Sequence, residues 1–131
     1  MKKILLLLLM LVSYKGMSQA LIGYTPSQVR EKLPNMDWEY YKWGENDKLL
    51  VMTFSTEELI VNYFFNDENI SLFCTIKPLK QGGLQFMVEK YNNRYVVINS
   101  NTWKFYTDGT VFICRLKTLD DGSFYFQWTE E

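Results

Sequence analysis

The clearest pattern of hydrophobic and polar positions lies between Glu58 and Lys77. Two runs rich in β-branched and aromatic residues flank the turn sequence Asn66-Asp67-Glu68-Asn69, which is typical of a β-hairpin. Apolar residues recur at every second position, so each arm has one apolar face. The stripes are Leu59, Val61, Tyr63 and Phe65 on the first arm, and Ile70, Leu72, Cys74 and Ile76 on the second. A half-buried antiparallel sheet is therefore predicted here.

Six further apolar or alternating runs predict additional strands. Turn sequences separate several of them, among them Gly44-Glu45-Asn46-Asp47, Asp108-Gly109 and Asp120-Asp121-Gly122. The run 49–54 is apolar on both faces, which indicates a strand inside the sheet. The six predicted strands are 37–43, 49–54, 95–98, 102–106, 110–117 and 123–129.

Two segments carry helix signals. In the first, Thr25 is a candidate N-cap, Pro26 is the first helical residue, and Gln28 completes a capping box. Pro34 ends this helix after about two turns. The second helix follows Gly82-Gly83, and its apolar residues recur at intervals of three and four, as on one face of a helix. These residues are Leu84, Met87, Val88 and Tyr91.

The predicted order of elements is one helix, four strands, one helix and four strands. It indicates an α+β fold in which two helices cover one face of an antiparallel sheet of about eight strands. The same order suggests a tandem α-β-β-β-β repeat with half-repeats 21–79 and 80–131. A local alignment of 62–79 with 102–119 conflicts with this repeat. We give the element order more weight, because hairpins of similar composition align by chance.

The first eighteen residues have the pattern of a secretory signal peptide. Lys2 and Lys3 precede the apolar run 4–12, and Gly16 and Ser18 put small residues before a cleavage site. The run is short for a transmembrane helix, which disfavours an uncleaved anchor. We expect residues 1–18 to be removed, which leaves 19–131 as a single exported domain, periplasmic or extracellular, with no integral membrane segment.

The charge balance limits which classes of partner are expected. Residues 19–131 contain 11 basic and 15 acidic residues, a net charge of −4. Nucleic acid is not an expected partner, because phosphate binding needs clustered Lys and Arg. The basic residues are scattered along the sequence, which also disfavours anionic membrane surfaces.

No catalytic or metal-binding set is visible. The chain has no histidine, which excludes Ser-His-Asp and Cys-His nucleophile systems. The adjacent acids Glu57-Glu58, Asp67-Glu68 and Asp120-Asp121 lie in or beside predicted turns. The sequence 66–69 lacks the spacing of a calcium loop, and Gly82-Gly83 lacks the Lys-Ser/Thr of a phosphate loop. We therefore expect a protein that is not an enzyme and has no cofactor or metal.

The two cysteines, Cys74 and Cys114, have two interpretations. Export permits a disulfide between them, whereas their places on apolar stripes suit two buried thiols. A disulfide requires Cα atoms within about 7 Å of each other. Their spacing fits no zinc pattern.

Aromatic residues are abundant, at 17% of the chain, with 4 Trp, 9 Tyr and 9 Phe. A sheet core explains many of them, because aromatic residues favour strands. A sheet covered on one face only still has an open face, and Trp and Tyr are favoured at interfaces. Our candidate interaction residues are Tyr41, Trp43, Trp103, Tyr125 and Trp128.

The sequence Gly23-Tyr24-Thr25-Pro26 leads into the short first helix and is followed by predicted strands. This Gly-x-Thr entry, with the helix and meander after it, resembles the helix-plus-sheet modules of two families. They are the β-lactamase-inhibitor-protein-like fold and the small outer-membrane assembly lipoproteins. The chain lacks the lipid-bearing cysteine of the lipoproteins, and as a whole it is similar to small exported proteins of bacteria. The two families use such modules to bind proteins, so the resemblance implies a binding module.

We therefore expect an exported, non-enzymatic module that binds a protein partner or a second copy of itself. The alternative is a binder of a small apolar ligand or a glycan that uses an aromatic sheet face. Neither alternative is decided by the residue pattern, because it does not show which face of the sheet is open.

Overall fold

The computed structural model describes residues 21–107 and 109–131. The predicted signal peptide, and Asp108 of the predicted turn, lie outside the described residues. The helices are α1 (Pro26–Lys32) and α2 (Gly83–Arg94), with a single 3-10 turn at Glu45–Asp47. The strands are β1 (Glu39–Trp43), β2 (Leu49–Ser55), β3 (Leu59–Phe65), β4 (Ser71–Pro78), β5 (Val96–Asn99), β6 (Thr102–Thr107), β7 (Thr110–Thr118) and β8 (Phe124–Glu130).

The eight strands form one antiparallel sheet with the order β1-β2-β3-β4-β8-β7-β6-β5. The last strand of each set of four, β4 and β8, pair at the centre of the sheet. Strands β1 and β5 are the two edges. The prediction of an α+β fold with a single antiparallel sheet is confirmed. The tandem repeat stays a prediction.

Helix α1 begins as its sequence predicts. Thr25 Oγ1 accepts a hydrogen bond from the Gln28 N–H at 3.3 Å, and Gln28 Oε1 accepts one from the Thr25 N–H at 2.9 Å. This reciprocal capping satisfies two backbone donors at the helix N-terminus. Seven residues are too few for a stable isolated helix, so α1 depends on packing, which its buried Val29 provides.

The segment before α1 is attached to the start of β4. The Gly23 N–H donates to the Ser71 carbonyl at 2.8 Å, and the Ser71 N–H donates to the Tyr24 carbonyl at 2.9 Å. The buried Ser71 hydroxyl donates to the Leu21 carbonyl at 2.9 Å. These bonds hold the described N-terminal segment against the sheet, where Leu21 is buried in the core.

Helix α2 packs on the sheet through Tyr91. This ring makes edge-to-face contacts with Trp103, Phe126 and Trp128, at centroid distances of 5.6, 4.9 and 5.5 Å. The Trp128 Nε1–H donates a hydrogen bond to the Tyr91 hydroxyl at 3.3 Å. Edge-to-face aromatic pairs add about 0.5–1.5 kcal/mol each beyond the area they bury. Tyr91 therefore joins the second helix to strands β6 and β8.

Both helices cover the same sheet face, because one buried cluster contains Val29 of α1 together with Met87 and Tyr91 of α2. Rows of side chains cross that face in register. One row runs from Met52 through the residues opposite it on successive strands. In order, these are Tyr63, Cys74, Trp128, Cys114 and Trp103. The small thiols lie on either side of the large indole of Trp128, which lets the row pack under α2.

The predicted apolar stripe on β4 is wrong at Leu72. The register shifts between Phe64 and Phe65, so that Phe64 lies opposite Phe73 but Phe65 lies opposite Ser71. Leu72 is the extra residue of this bulge, and its side chain is 43% exposed. Because a bulge inserts one residue, it changes which side chains face the core.

Replacing Tyr91 tests its role as the anchor of α2. We expect Tyr91→Ala to lower the free energy of unfolding by about 3–5 kcal/mol, because it leaves a large cavity in the core. Tyr91→Phe keeps the ring but leaves the buried Trp128 Nε1–H without a partner, which costs about 1–3 kcal/mol. The measurement is urea unfolding followed by tryptophan fluorescence.

The matched control is Tyr106→Ala, because among the described residues Tyr106 is the most exposed of the large hydrophobic side chains, at 55%. Its free energy of unfolding should stay within about 0.5 kcal/mol of the wild-type value. Equal losses for Tyr91→Ala and Tyr106→Ala would contradict the anchoring role.

Candidate binding surface on the open sheet face

The second face of the sheet carries no helix among the described residues, and we call it the open face. It has an apolar layer of its own. Val51 lies opposite Phe64, and Phe64 lies opposite Phe73, so these side chains form a row across β2, β3 and β4. Val51, Phe64 and Ile113 are buried although they are on the open face. Their large neighbours on the same face therefore shield them from solvent.

A depression of about 310 Å³ lies on this face. We call it the aromatic cradle. Its aromatic members are Trp43, Phe64, Phe73 and Tyr125, and its polar members are Asn62, Thr75 and Gln127. Lys77 and Leu119 complete the lining. The cradle thus combines apolar rings with a few hydrogen-bonding groups and one cation, the composition typical of binding sites.

The aromatic rings of the cradle hold one another in place. Trp43 packs edge-on against Phe64 with centroids 5.5 Å apart, and Phe64 stacks on Phe73 at 4.3 Å. Gly44, directly after Trp43, has a backbone φ of +91°, which residues other than glycine rarely adopt. The chain therefore turns away after Trp43 and leaves its indole 53% exposed.

The polar members form a row on neighbouring strands. Asn62 lies opposite Thr75, which lies opposite Gln127. Asn62 Nδ2 donates to Thr75 Oγ1 at 3.2 Å. Within residues 21–107 and 109–131, the Gln127 amide makes no side-chain hydrogen bond. Its two donors and its acceptor are available to a ligand.

The structure brings together some of the candidate interaction residues predicted from sequence. Trp43 and Tyr125 both line the aromatic cradle. Tyr41 is on the same face, opposite Val51, and is 44% exposed, but it lies outside the cradle.

Trp103 and Trp128 were also predicted as interaction residues, but they are not part of this surface. Both are fully buried on the face that α2 covers, in contact with Tyr91. Alternation along a strand separates the two faces but does not say which one a helix covers. Phe64 and Phe73 were not among the predicted interaction residues, although their positions opposite to the core stripe were a signal for a second apolar face.

The disulfide interpretation is also corrected, because both cysteines are free and buried. Cys74 and Cys114 each lie opposite Trp128 of β8, on its two sides. Their Cα atoms are thus two strand spacings apart, about 10 Å, beyond the limit of about 7 Å. Burial raises the pKa of both thiols, which keeps them protonated and unreactive.

Of the adjacent acids, Asp121 binds within its own turn, and in the turn 66–69 the hydrogen bonds come from Asn66. Asn66 Oδ1 accepts from the Glu68 and Ile70 N–H groups, at 2.9 and 3.0 Å. Asp121 Oδ1 accepts from the Ser123 hydroxyl at 2.6 Å and from the Ser123 N–H at 2.9 Å. These bonds lower the pKa of Asp121. In the described part of the chain, no three Cys, Asp or Glu side chains are grouped as metal ligands.

A second depression, of about 220 Å³, lies beside the start of α2. Its apolar lining comes from Pro78, Phe86 and the core residues Leu59 and Met87. It contains no Trp or Tyr, and we regard it as the weaker candidate. Among the described residues, neither helix has the length and apolar character needed to cross a membrane.

The fold and the cradle define an α+β protein with an eight-stranded antiparallel sheet and one aromatic open face. Comparisons with protein-family models, curated proteins and solved structures find no match to this chain. The function is therefore argued from the surface itself.

The free thiols give a direct test. We expect both cysteines to resist a thiol reagent in the native protein and to react fully after unfolding, because burial protects them. The intact mass should be the same before and after reduction. A mass two hydrogens lighter before reduction would contradict the free-thiol assignment.

The buried thiol and phenol groups predict a loss of stability at alkaline pH. Burial raises the pKa of Cys74, Cys114, Tyr63 and Tyr91, so these groups ionise first in the unfolded chain. Their contribution is complete below the unfolded pKa, about 8.5 for Cys and 10 for Tyr, and declines as pH rises beyond it. Above its unfolded pKa, each group lowers the free energy of unfolding by about 1.4 kcal/mol per pH unit.

The measurement is the free energy of unfolding in urea between pH 7 and pH 11. The double variant Cys74→Ala, Cys114→Ala is the control, because it should remove the decline between about pH 8.5 and 10 and roughly halve the slope above pH 10, where Tyr63 and Tyr91 remain. An unchanged profile in this variant would show that the thiols do not cause the decline.

Proposed function

We propose that this protein is an exported, non-enzymatic binding module and that the open face of its sheet binds a partner protein. The aromatic cradle is the anchor pocket for a side chain of the partner. The observation that carries this proposal is the grouping of Trp43 and Tyr125 with Phe64 and Phe73 on a face that no described helix covers.

The energetics of interfaces support a protein partner. Binding energy concentrates in a few aromatic and Arg residues that fill desolvated pockets. The cradle offers such a pocket with the exposed Trp43 in its lining, and the exposed Tyr41 extends the apolar area beside it. Contiguous apolar patches are unusual on proteins that function alone. The packing of Trp43, Phe64 and Phe73 on one another also lowers the entropy cost of ordering them on binding.

Two other ligands have specific observations in their favour. The cradle volume of about 310 Å³ is at the lower end of small-ligand pockets, about 300–1,000 Å³. Its polar row would suit an apolar ligand with hydroxyl groups or a glycan. A second copy of the chain is favoured by β5, whose exposed Val96, Val97 and Ile98 carry no charge at a sheet edge.

Site-specific photocrosslinking in the exporting cell tests the proposal. A benzoyl-phenylalanine is placed at position 41, 43 or 125 on the open face, and at position 40 or 124 as matched controls. Tyr40 and Tyr41 are adjacent and each 44% exposed, but they point to opposite faces of the sheet. Phe124 and Tyr125 form the same kind of pair on β8.

We expect a discrete crosslinked protein from the open-face positions and not from positions 40 and 124. A product of twice the mass of the chain would indicate a second copy. Equal crosslinking from both faces, or no product from the open face, would overturn the proposed function.

A further inference from the structure

Three basic residues, Lys77, Arg115 and Lys117, border the aromatic cradle, and we call them the basic patch. Lys77 lines the cradle itself. Arg115 lies opposite Gln127, and Lys117 lies opposite Tyr125. Arg115 and Lys117 alternate along β7 with residues of the core cluster. Both side chains therefore point to the open face.

The basic patch has no ion pair among residues 21–107 and 109–131. Ion pairs in this part of the chain join other lysines, Lys80 to Glu57 at 3.9 Å and Lys104 to Glu131 at 2.9 Å. Lys104 and Glu131 neutralise each other farther along the same face. The patch therefore keeps its positive charges exposed to a ligand.

One acid does interact with the patch. The side-chain and backbone hydrogen bonds from Ser123 lower the pKa of Asp121, and Lys77 lowers it further. The Asp121 carboxylate is already bound by Ser123 in the turn. It also lies in solvent, where screening makes such attraction weak. Asp121 therefore offsets only part of the charge of Lys77.

The position of this patch is unusual in an acidic protein. Residues 19–131 carry 15 acidic and 11 basic residues, yet three of the basic ones meet at the rim of the cradle. A local charge opposite to that of the whole protein attracts a ligand of opposite charge and orients its approach.

We propose that the partner presents an acidic segment with an aromatic or aliphatic side chain in its middle. The apolar side chain enters the aromatic cradle, and the carboxylates on either side of it meet the basic patch. This inference rests on the proposed function and names the chemistry of the partner.

The geometry favours a protein segment over an acidic saccharide. Phe64 is only 8% exposed, because it stacks on Phe73 at 4.3 Å and packs against Trp43, so it offers little ring face for a sugar to stack on. The guanidinium of Arg115 can bind a carboxylate through two parallel hydrogen bonds. Three cations are too few for the phosphate neutralisation of nucleic-acid binding.

Labelled synthetic peptides of ten residues test this inference. One set has Trp, Phe or Leu between Glu and Asp residues. A second set replaces every acid by Gln or Asn, and a third replaces every acid by Lys. Fluorescence anisotropy measures binding to the mature protein at low and high salt. We expect the acidic set to bind about tenfold or more tightly than the neutral set, and to weaken as salt rises.

The variant of the basic patch is Lys77→Gln, Arg115→Gln, Lys117→Gln, which should weaken the acidic peptides about tenfold. Its matched control, Lys32→Gln, Lys80→Gln, Lys90→Gln, removes the same charge away from the open face and should leave binding nearly unchanged. Trp43→Ala should weaken the acidic and the neutral peptides alike, because it removes the anchor contact. Urea unfolding of each variant checks that the fold is intact.

Equal affinity for acidic and neutral peptides, or no binding by either, would overturn this inference. Equal losses of affinity for the acidic peptides in the two triple variants would also overturn the inference, because such losses would reflect net charge alone. An oligouronate that binds with the expected salt and patch dependence, when the peptides do not, would replace the protein segment by an acidic glycan.

The two proposals can fail separately. If crosslinking on the open face persists in the basic-patch variant, and no acidic peptide competes with it, the proposed function stands and the acidic partner is wrong. If crosslinking is absent in the wild-type protein, the proposed function itself fails.

Discussion

The packing of Tyr91 against the rings of β6 and β8 determines which face of the sheet α2 covers. Its edge-to-face contacts with Trp103, Phe126 and Trp128 place α2 on one face of the sheet. The helix-side core then contains the largest fully buried side chains of the described residues, Trp103 and Trp128 among them. With both described helices on that face, no described helix covers the other one, which can meet a partner.

The open face is built differently from an ordinary solvent-exposed sheet face. Antiparallel sheets with one solvated face usually carry polar residues there. Here Phe64 stacks on Phe73 and Trp43 packs beside them, while the polar row through Asn62 and the basic patch lie next to these rings. Covering such a surface lowers the free energy, because the burial of apolar area is favourable by about 25 cal/mol per Å². This is the physical basis for regarding it as the binding surface.

Local signals predicted the elements well. The capping box at Thr25 and the helical spacing that includes Tyr91 depend on neighbouring residues only, and both are found in the structure. Apolar and alternating runs between turn residues predicted the strands that the structure contains. Leu72 was assigned wrongly, because a bulge depends on the partner strand. Of the two interpretations of the cysteines, the structure has the buried free thiols, because β8 separates Cys74 from Cys114 and no local pattern encodes the place of β8 between β4 and β7.

By itself, the sequence determined the types of element, their order and the α+β class, since hydrophobic periodicity, capping and turn residues act over a few residues. Only the tertiary structure decided which face is open, and so which aromatic residues are available. Tyr41, Trp43 and Tyr125 are on that face, whereas Trp103 and Trp128 are in the core. Tertiary contacts also brought Lys77 of β4 near Arg115 and Lys117 of β7, because β8 pairs with both strands. Residues distant in sequence become neighbours through strand order, a property of the whole sheet.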